Sequence, residues 1–439
     1  MNPLPSIESP LRIYYVPFKV MLMDMIENVR IQEELVFKAD DSPGTYSSIF
    51  SGRIAKEYIE RFGKCLFFAV YVDDFSPNSR SSLSSKALTI CNIHLLNLPD
   101  HFRSKIDSIL MTLCCQSNVS KKTNFNYSYD IICSEINTLH GKTITIESEA
   151  YTIFFIVFIG DNKEVNAAMG IKNSFHGKSS RPCRSCTATT TQFTRIFEEK
   201  SCVKRRTNPP SKFLEMYDYK LSDRLFFDIS HDFYLGTATF SMGMIICKII
   251  KEAKFCSLEE LNSCISKFYF GTSDKPNRIK VIDSKISGNH MLGQHSEQCR
   301  SLIRYFPLII HSIKELKYGN VEFTNDILLE TMMLKMKDTM EIFENLRYIE
   351  ELISSPYIDD NELLILDSLV KKHLMFISQN RPTLRLREHN MVHFSSAIRS
   401  YGPLCNIASL RYESFHQVAK KFCMSSNNKL NLPFTIMNK

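Results

Sequence analysis

Two stretches of the chain are apolar almost without a break, and each ends on acids. Cys65–Phe75 reads CLFFAVYVDDF and Tyr151–Asn162 reads YTIFFIVFIGDN. Both are rich in aromatic and β-branched residues and short enough to be strands buried on both faces. Between them come a polar, serine-rich turn (Ser76–Ser85), ALTICNIHLLNL (Ala87–Leu98) and SILMTLCC (Ser108–Cys115). A helical stretch around Tyr129–Leu139 and KTITIESEA (Lys142–Ala150) follow. Three successive strands predict a meander, and a helix ahead of the fourth predicts a crossover onto the same sheet. Upstream, Val16–Lys38 places Phe18, Met21, Leu22, Met25, Ile26 and Val29 at helical spacing, more in keeping with a core face than a cofactor site.

Beyond Asp161 the pattern changes. Residues 170–225 are irregular and rich in Cys, Thr and Arg, and Asp228 to about Asn380 reads almost wholly as helices. Ser257 and Glu260 form a capping box opening SLEELNSCISKF. Thr324 precedes NDILLETMMLKMKDTMEIFENL, and DDNELLILDSLVKKHLMFI is a further helix. Two last helical segments, Leu386–Arg399 and Ser409–Met424, are parted by the breaker Tyr401-Gly402-Pro403. The divisions expected are a helical leader (1–60), a sheet (61–168), a Cys/Arg-rich segment (169–227), an all-α insertion (228–400), an acidic helix completing the core (401–425) and a tail (426–439). Strand–strand–strand–helix–strand, with acids closing the first and fourth strands, is the order of a ribonuclease H-like α/β fold.

The chemistry sits at the ends of these elements. Acids at neighbouring strand ends (Asp73-Asp74 and Asp161), joined by Glu413 on LRYESFH (Leu410–His416), can share divalent cations of the kind that serve phosphodiester chemistry. Strand ends also carry Asp for turn-forming reasons alone. Cys183-Arg-Ser-Cys186 is the one C-x-x-C in the chain, and His389 and His393 stand four apart on a helix. Together they supply the two thiolates and two imidazoles of a closed, structural tetrahedral Zn2+ site, with His176 and Cys202 as substitutes. Asp228 or Ser230 is expected to cap the next helix. Alternatively, Asp228 and His231 orient the acidic site. Lys204, Arg205 and Arg206, with Arg181, Arg184 and Lys178, form the densest basic cluster, either a solvated loop or a DNA contact.

Composition narrows this only modestly. The chain has 439 residues, 44% hydrophobic and 23% charged, with a formal charge of +7 that permits an anionic partner without requiring one. Tyr151–Gly160, its longest apolar run, is too short to cross a bilayer, so no membrane partner is expected. Fourteen Cys and no secretory pattern predict reduced thiols in the nucleus or cytoplasm rather than a secreted protein.

In order, these pieces resemble a family of animal transposon-derived proteins related to the CACTA-type DDE transposases. The correspondence runs through Asp73-Asp74-Phe75, Leu95–Pro99, Gly160-Asp161-Asn162, Cys183–Cys186, Asp228–Asp232, Phe255–Asn262, Ser273-Asp274-Lys275, His389–His393, Tyr401–Leu404 and Leu410–His416. It spans residues 65 to 425. The resemblance implies a DDE site of Asp73, Asp161 and Glu413 using Mg2+ or Mn2+. It also implies a Zn2+ clamp of Cys183, Cys186, His389 and His393, and a D-x-x-H element at Asp228 and His231. The implied partner is DNA, the implied reaction is nicking or strand transfer, and homo-oligomers are compatible with it. The chain departs from the pattern where relatives carry a His (here Asn166), a basic residue or His (Glu388) and a Trp before Leu410. It contains no Trp, and no DNA-binding finger is expected ahead of Cys65. A retained but non-catalytic scaffold binding DNA or protein is therefore the second expectation.

Overall fold

The computed structural model describes residues 12–39, 41–77, 87–117, 126–146, 148–171, 175, 180–205, 226–318, 327–425 and 432–437. The architecture is mixed α/β. A six-stranded sheet comprises β1 (Ile13–Tyr15), β2 (Cys65–Phe75), β3 (Leu88–Leu95), β4 (Ile109–Gln116), β5 (Thr143–Ile146) and β6 (Glu149–Ile159), in the spatial order β1-β4-β3-β2-β6-β5. Within it only β2 and β6 run parallel. Antiparallel neighbours need only turns, whereas the parallel pair needs a crossover, which passes through the helix Asn126–Leu139.

Both central strands are buried on both faces, which is why their sequences lack a polar alternation. Phe67 and Phe154 face the helix Arg53–Phe62, where Tyr58 stacks on Phe154 at 3.9 Å. Phe68 and Phe155 face the helix Phe18–Glu27 through Phe18. On β2, Tyr71 and Asp73 therefore share the Phe67 side and Asp74 the other.

The leader is not a separate helical unit. Ile13–Tyr15 forms an edge strand on β4, and the expected helix Val16–Lys38 is two, Phe18–Glu27 and Val29–Glu33. Asn28 divides them: its side chain accepts from the Arg30 N–H and caps the second helix. The start at Thr324 lies outside the described residues, whose helix begins at Ile327. Among its described residues the expected all-α insertion consists of helices and their connections, with one two-residue strand, Ile358–Asp359, pairing with Thr45–Tyr46.

A continuous helix, Ile229–Glu252, runs through the helical layer. It is long and apolar enough to cross a bilayer (mean hydropathy 1.5), although Asp232 and several hydroxyls interrupt its apolar run. However, 83% of its apolar window is buried among other helices, as in the core helix of a protein interior. Its first ten residues, Ile229–Ala238, have wide π-type turns. Such turns often accompany functional residues, and here they carry His231 and Asp232.

Candidate functional site: an acidic cleft and a buried Cys2His2 cluster

The last paired residues of the parallel strands are Tyr71 and Ile159, so Asp73 and Asp161 each lie two residues beyond them, at adjacent strand ends. Gly160 permits this closeness, because a Cβ there would sit 2.5 Å from the Val72 carbonyl oxygen. Asp161 then caps the helix Asn162–Ala168 and accepts from the Lys163 N–H. Asp73 accepts from the Tyr71 hydroxyl (2.9 Å) and the Asp74 N–H (2.8 Å). Burial pushes its carboxyl up to about 6, the Asp161 charge adding to the rise while His231 and its hydrogen bonds oppose it.

Glu413 arrives on the helix Leu410–Ser425, which docks beside β2 through an aromatic clamp. Tyr412 stacks on Tyr71 at 4.4 Å and 7°, and its hydroxyl lies 3.3 Å from His94 Nδ1. Such a pair contributes about 0.5–1.5 kcal/mol beyond its area burial. The Ser230 hydroxyl donates to Glu413 Oε1 at 2.8 Å, and Ser409 Oγ lies 3.3 Å from the same oxygen. One turn along, His416 stacks on Phe75 and holds Nδ1 3.9 Å from Asp73 Oδ2. Asp73, Phe75, Glu413 and His416 border a cleft of about 870 Å3 that also includes His231, Glu297, Arg300 and Lys420.

Asp228 caps the long helix, accepting from the Ser230 and His231 N–H groups, and receives both the Ser409 N–H (2.9 Å) and hydroxyl (2.6 Å). It also lies 2.6 Å from His231 Nδ1. The capping expectation is thus met by Asp228, which also pairs with His231. Burial opposes charge on His231, but Asp228, Glu413 and Asp73 together push it up to about 10. Its Nε2 stands 3.9 Å from Glu413. Sequence reading missed Glu164, whose carboxyl is driven up to about 7 by burial and by the charges of Asp74, Asp161 and Asp73, against Lys163. Its Oε2 is buried with no hydrogen-bond partner. Its place one turn after Asp161 on a helix was the available signal.

The second constellation is tighter. One ligand atom each from Cys183, Cys186, His389 and His393 lies within 4.8 Å of all the others, and all four residues are buried. Among the described residues this is the group able to hold a metal such as zinc; the three acids do not close to that spacing. Cys183 Sγ is 3.5 Å from His393 Nε2, and Cys186 Sγ is 3.2 Å from His389 Nε2. Tetrahedral bonds of roughly 2.3 Å to sulfur and 2.05 Å to nitrogen require S···N separations of about 3.5 Å, so the donors fit the ion. Glu199 lies 3.0 Å from His393 Nδ1, which leaves Nε2 to face the sulfurs. The His389 ring stacks on Phe193 at 4.1 Å. Cys202 stands beside the cluster, and its thiol is pulled down to about 6 by hydrogen bonding with Cys186 and then by His393, against burial. His176 lies outside the described residues.

The basic cluster divides. Arg181 and Lys204 are exposed and remain candidates for an anionic ligand. Arg184 is not available: it is buried, donating to Asn166 Oδ1 (3.3 Å) and the Phe226 carbonyl (3.1 Å) and lying over the Phe227 ring. Arg205 is half-buried and donates to the carbonyls of Arg181 and Cys183 at 2.9 Å, so it braces the Cys turn. Arg206 and Lys178 lie outside the described residues. No family model matches this sequence, and no curated protein matches it.

Proposed function

We propose that this chain is a transposase-derived DNA-binding protein with a ribonuclease H-like core and a DDE-type nicking or strand-transfer site. The observation that carries this reading is the meeting of Asp73 and Asp161 at adjacent parallel strand ends, with Glu413 brought to the same face by the Tyr71–Tyr412 stack. The donors are hard carboxylate oxygens, and Asp73, Asp161 and Glu413, which do not close to ligand spacing in the free chain, would draw together to hold Mg2+ or Mn2+. Cations bound there supply charge stabilisation at the attacking and leaving oxygens of a phosphodiester. The chain's own part is orientation. Tyr71 holds Asp73, the Lys163 N–H holds Asp161, and Ser230 holds Glu413. Zn2+ at the Cys2His2 cluster is structural in this reading, since four protein ligands leave no open position. DNA is the partner, with Arg181 and Lys204 as phosphate contacts, homo-oligomers are compatible with it, and the nucleus or cytoplasm is the compartment.

The test is nicking of labelled duplex DNA with Mg2+ or Mn2+, comparing wild type with Asp161→Asn. Removing one charge from three crowded carboxylates weakens cation binding while leaving the strand intact. Cation-dependent nicking lost in the variant is expected, and undiminished activity in Asp161→Asn removes Asp161 from the mechanism.

The second reading is a non-catalytic scaffold, favoured by one observation. His231 is held by Asp228 with its Nε2 3.9 Å from Glu413, where an imidazolium offsets part of the acidic charge that a cation would otherwise offset. Salt-dependent DNA binding with no nicking in wild type supports it.

A further inference from the structure

A buried polar network joins the Cys2His2 cluster to the turn that carries Asp161. Asp232 is fully buried and its Oδ1 accepts two amide donors, Asn162 Nδ2 at 2.5 Å and Asn390 Nδ2 at 3.0 Å. Asn390 Nδ2 also lies 3.1 Å from Asn162 Oδ1, closing a three-residue ring. Asn162 follows Asp161 directly, and Asn390 follows the metal-ligand candidate His389. A parallel link leaves the cysteine half of the cluster. Arg184, between Cys183 and Cys186, donates to Asn166, whose amide donates to the Pro182 carbonyl at 2.9 Å. Asn166 lies on the short helix that Asp161 caps. All five side chains are buried, so none of these bonds has water to replace it at no cost.

We infer that Asp232 and Asn390 are positioning residues through which metal at the Cys2His2 cluster sets the Asp161 turn. The clamp then does more than tie the helical layer to its own start. With metal bound, the Asn390 amide is fixed and the Asn162 side chain has one place to bond, which orients the preceding carboxylate. With the cluster empty, the paired-His segment is released and the turn loses its anchor.

The inference rests on the proposed role of Asp161, but its first measurement does not. Hydrogen–deuterium exchange is read on the full chain over residues 160–166, with strand residues 65–72 as internal reference. Zinc removal from wild type raises exchange at 160–166, and Asn390→Leu does the same by about tenfold or more with one metal still bound, the effect of losing its two buried hydrogen bonds to Asp232 and Asn162. Asp232→Asn retains an acceptor oxygen and exchanges as wild type. Exchange at 160–166 that ignores zinc removal overturns the inference, and so does wild-type exchange in metal-loaded Asn390→Leu. Should the Leu variant not fold, the zinc-removal result on wild type decides.

The second measurement is a Mn2+ titration, in which Asn390→Leu binds about tenfold more weakly than wild type at equal zinc content. Equal affinities overturn the link to the acidic site. A wild type that binds no Mn2+ sinks the proposed function instead, while the exchange result still decides the coupling.

Discussion

Replacing Cys183 by Ser tests the metal cluster most directly, and the structure sets its magnitude. The two sulfur–imidazole contacts join residues 203 and 210 positions apart in sequence. A cross-link closing a loop of that length removes unfolded-state entropy corresponding to about 5 kcal/mol in the chain-entropy treatment. For a chain of 439 residues, unfolding entropy of about 2.1 cal/mol/K per residue converts that into a drop of about 5–6 °C in melting temperature. The buried site adds to the loss, because the Cys186 thiol and the two imidazoles are left without the ion that satisfied them. The assay is elemental analysis of purified protein, followed by thermal scans of wild type and Cys183→Ser with and without a strong chelator. Wild type carries one zinc per chain and melts lower in chelator; the variant carries little zinc and melts low in both. A variant that retains one zinc and melts as wild type would falsify the reasoning, as would a wild type whose melting ignores the chelator.

Three further outcomes are expected. His373 is fully buried against the Ser241 hydroxyl, and burial pushes its pKa down to about 4. Its stability contribution is therefore fully present above its unfolded pKa near 6.5 and is lost as pH falls from there toward about 4, a span of roughly 3 kcal/mol. Urea titrations of wild type and His373→Leu over that window should show the slope only in wild type. Gly160→Ala drives a Cβ to 2.5 Å from the Val72 carbonyl oxygen, which costs about 1–3 kcal/mol as overpacking and spreads the two strand ends. Chemical denaturation reads the cost, and an unchanged midpoint refutes the close approach. In DNA-binding titrations, Arg181→Ala and Lys204→Ala should each lower the salt slope by about one. Arg184→Ala should lower stability instead, and a slope change there without destabilisation contradicts its burial.

Much of this organisation was determined by local sequence. The central strands announce themselves because strands covered on both faces need no polar positions, and the Ser257–Glu260 capping box forms as written, with both reciprocal hydrogen bonds present. The Cys and His pairs are legible because ligand chemistry demands a small set of residue types at fixed spacing. What the tertiary structure alone decided is who meets whom across long separations. Residue types could not place Arg184 in the interior, because an Arg reads as exposed until its buried partners Asn166 and Phe226 are known. Asp232 gave a hint, as a lone acid in the apolar run ISHDFYLGTATFSMGMIIC, but its partners Asn162 and Asn390 stand 70 and 158 residues away in opposite directions. Asn28 splits a helix whose apolar period continues unbroken, because a side-chain cap competes with propagation where periodicity is blind. Periodicity and propensity are short-range properties of the chain. The adjacency of Asp73 and Asp161 follows from the parallel pairing of β2 with β6, whereas the approach of the Glu413 helix and the meeting of the Cys and His pairs follow from how the helical layer packs on the sheet.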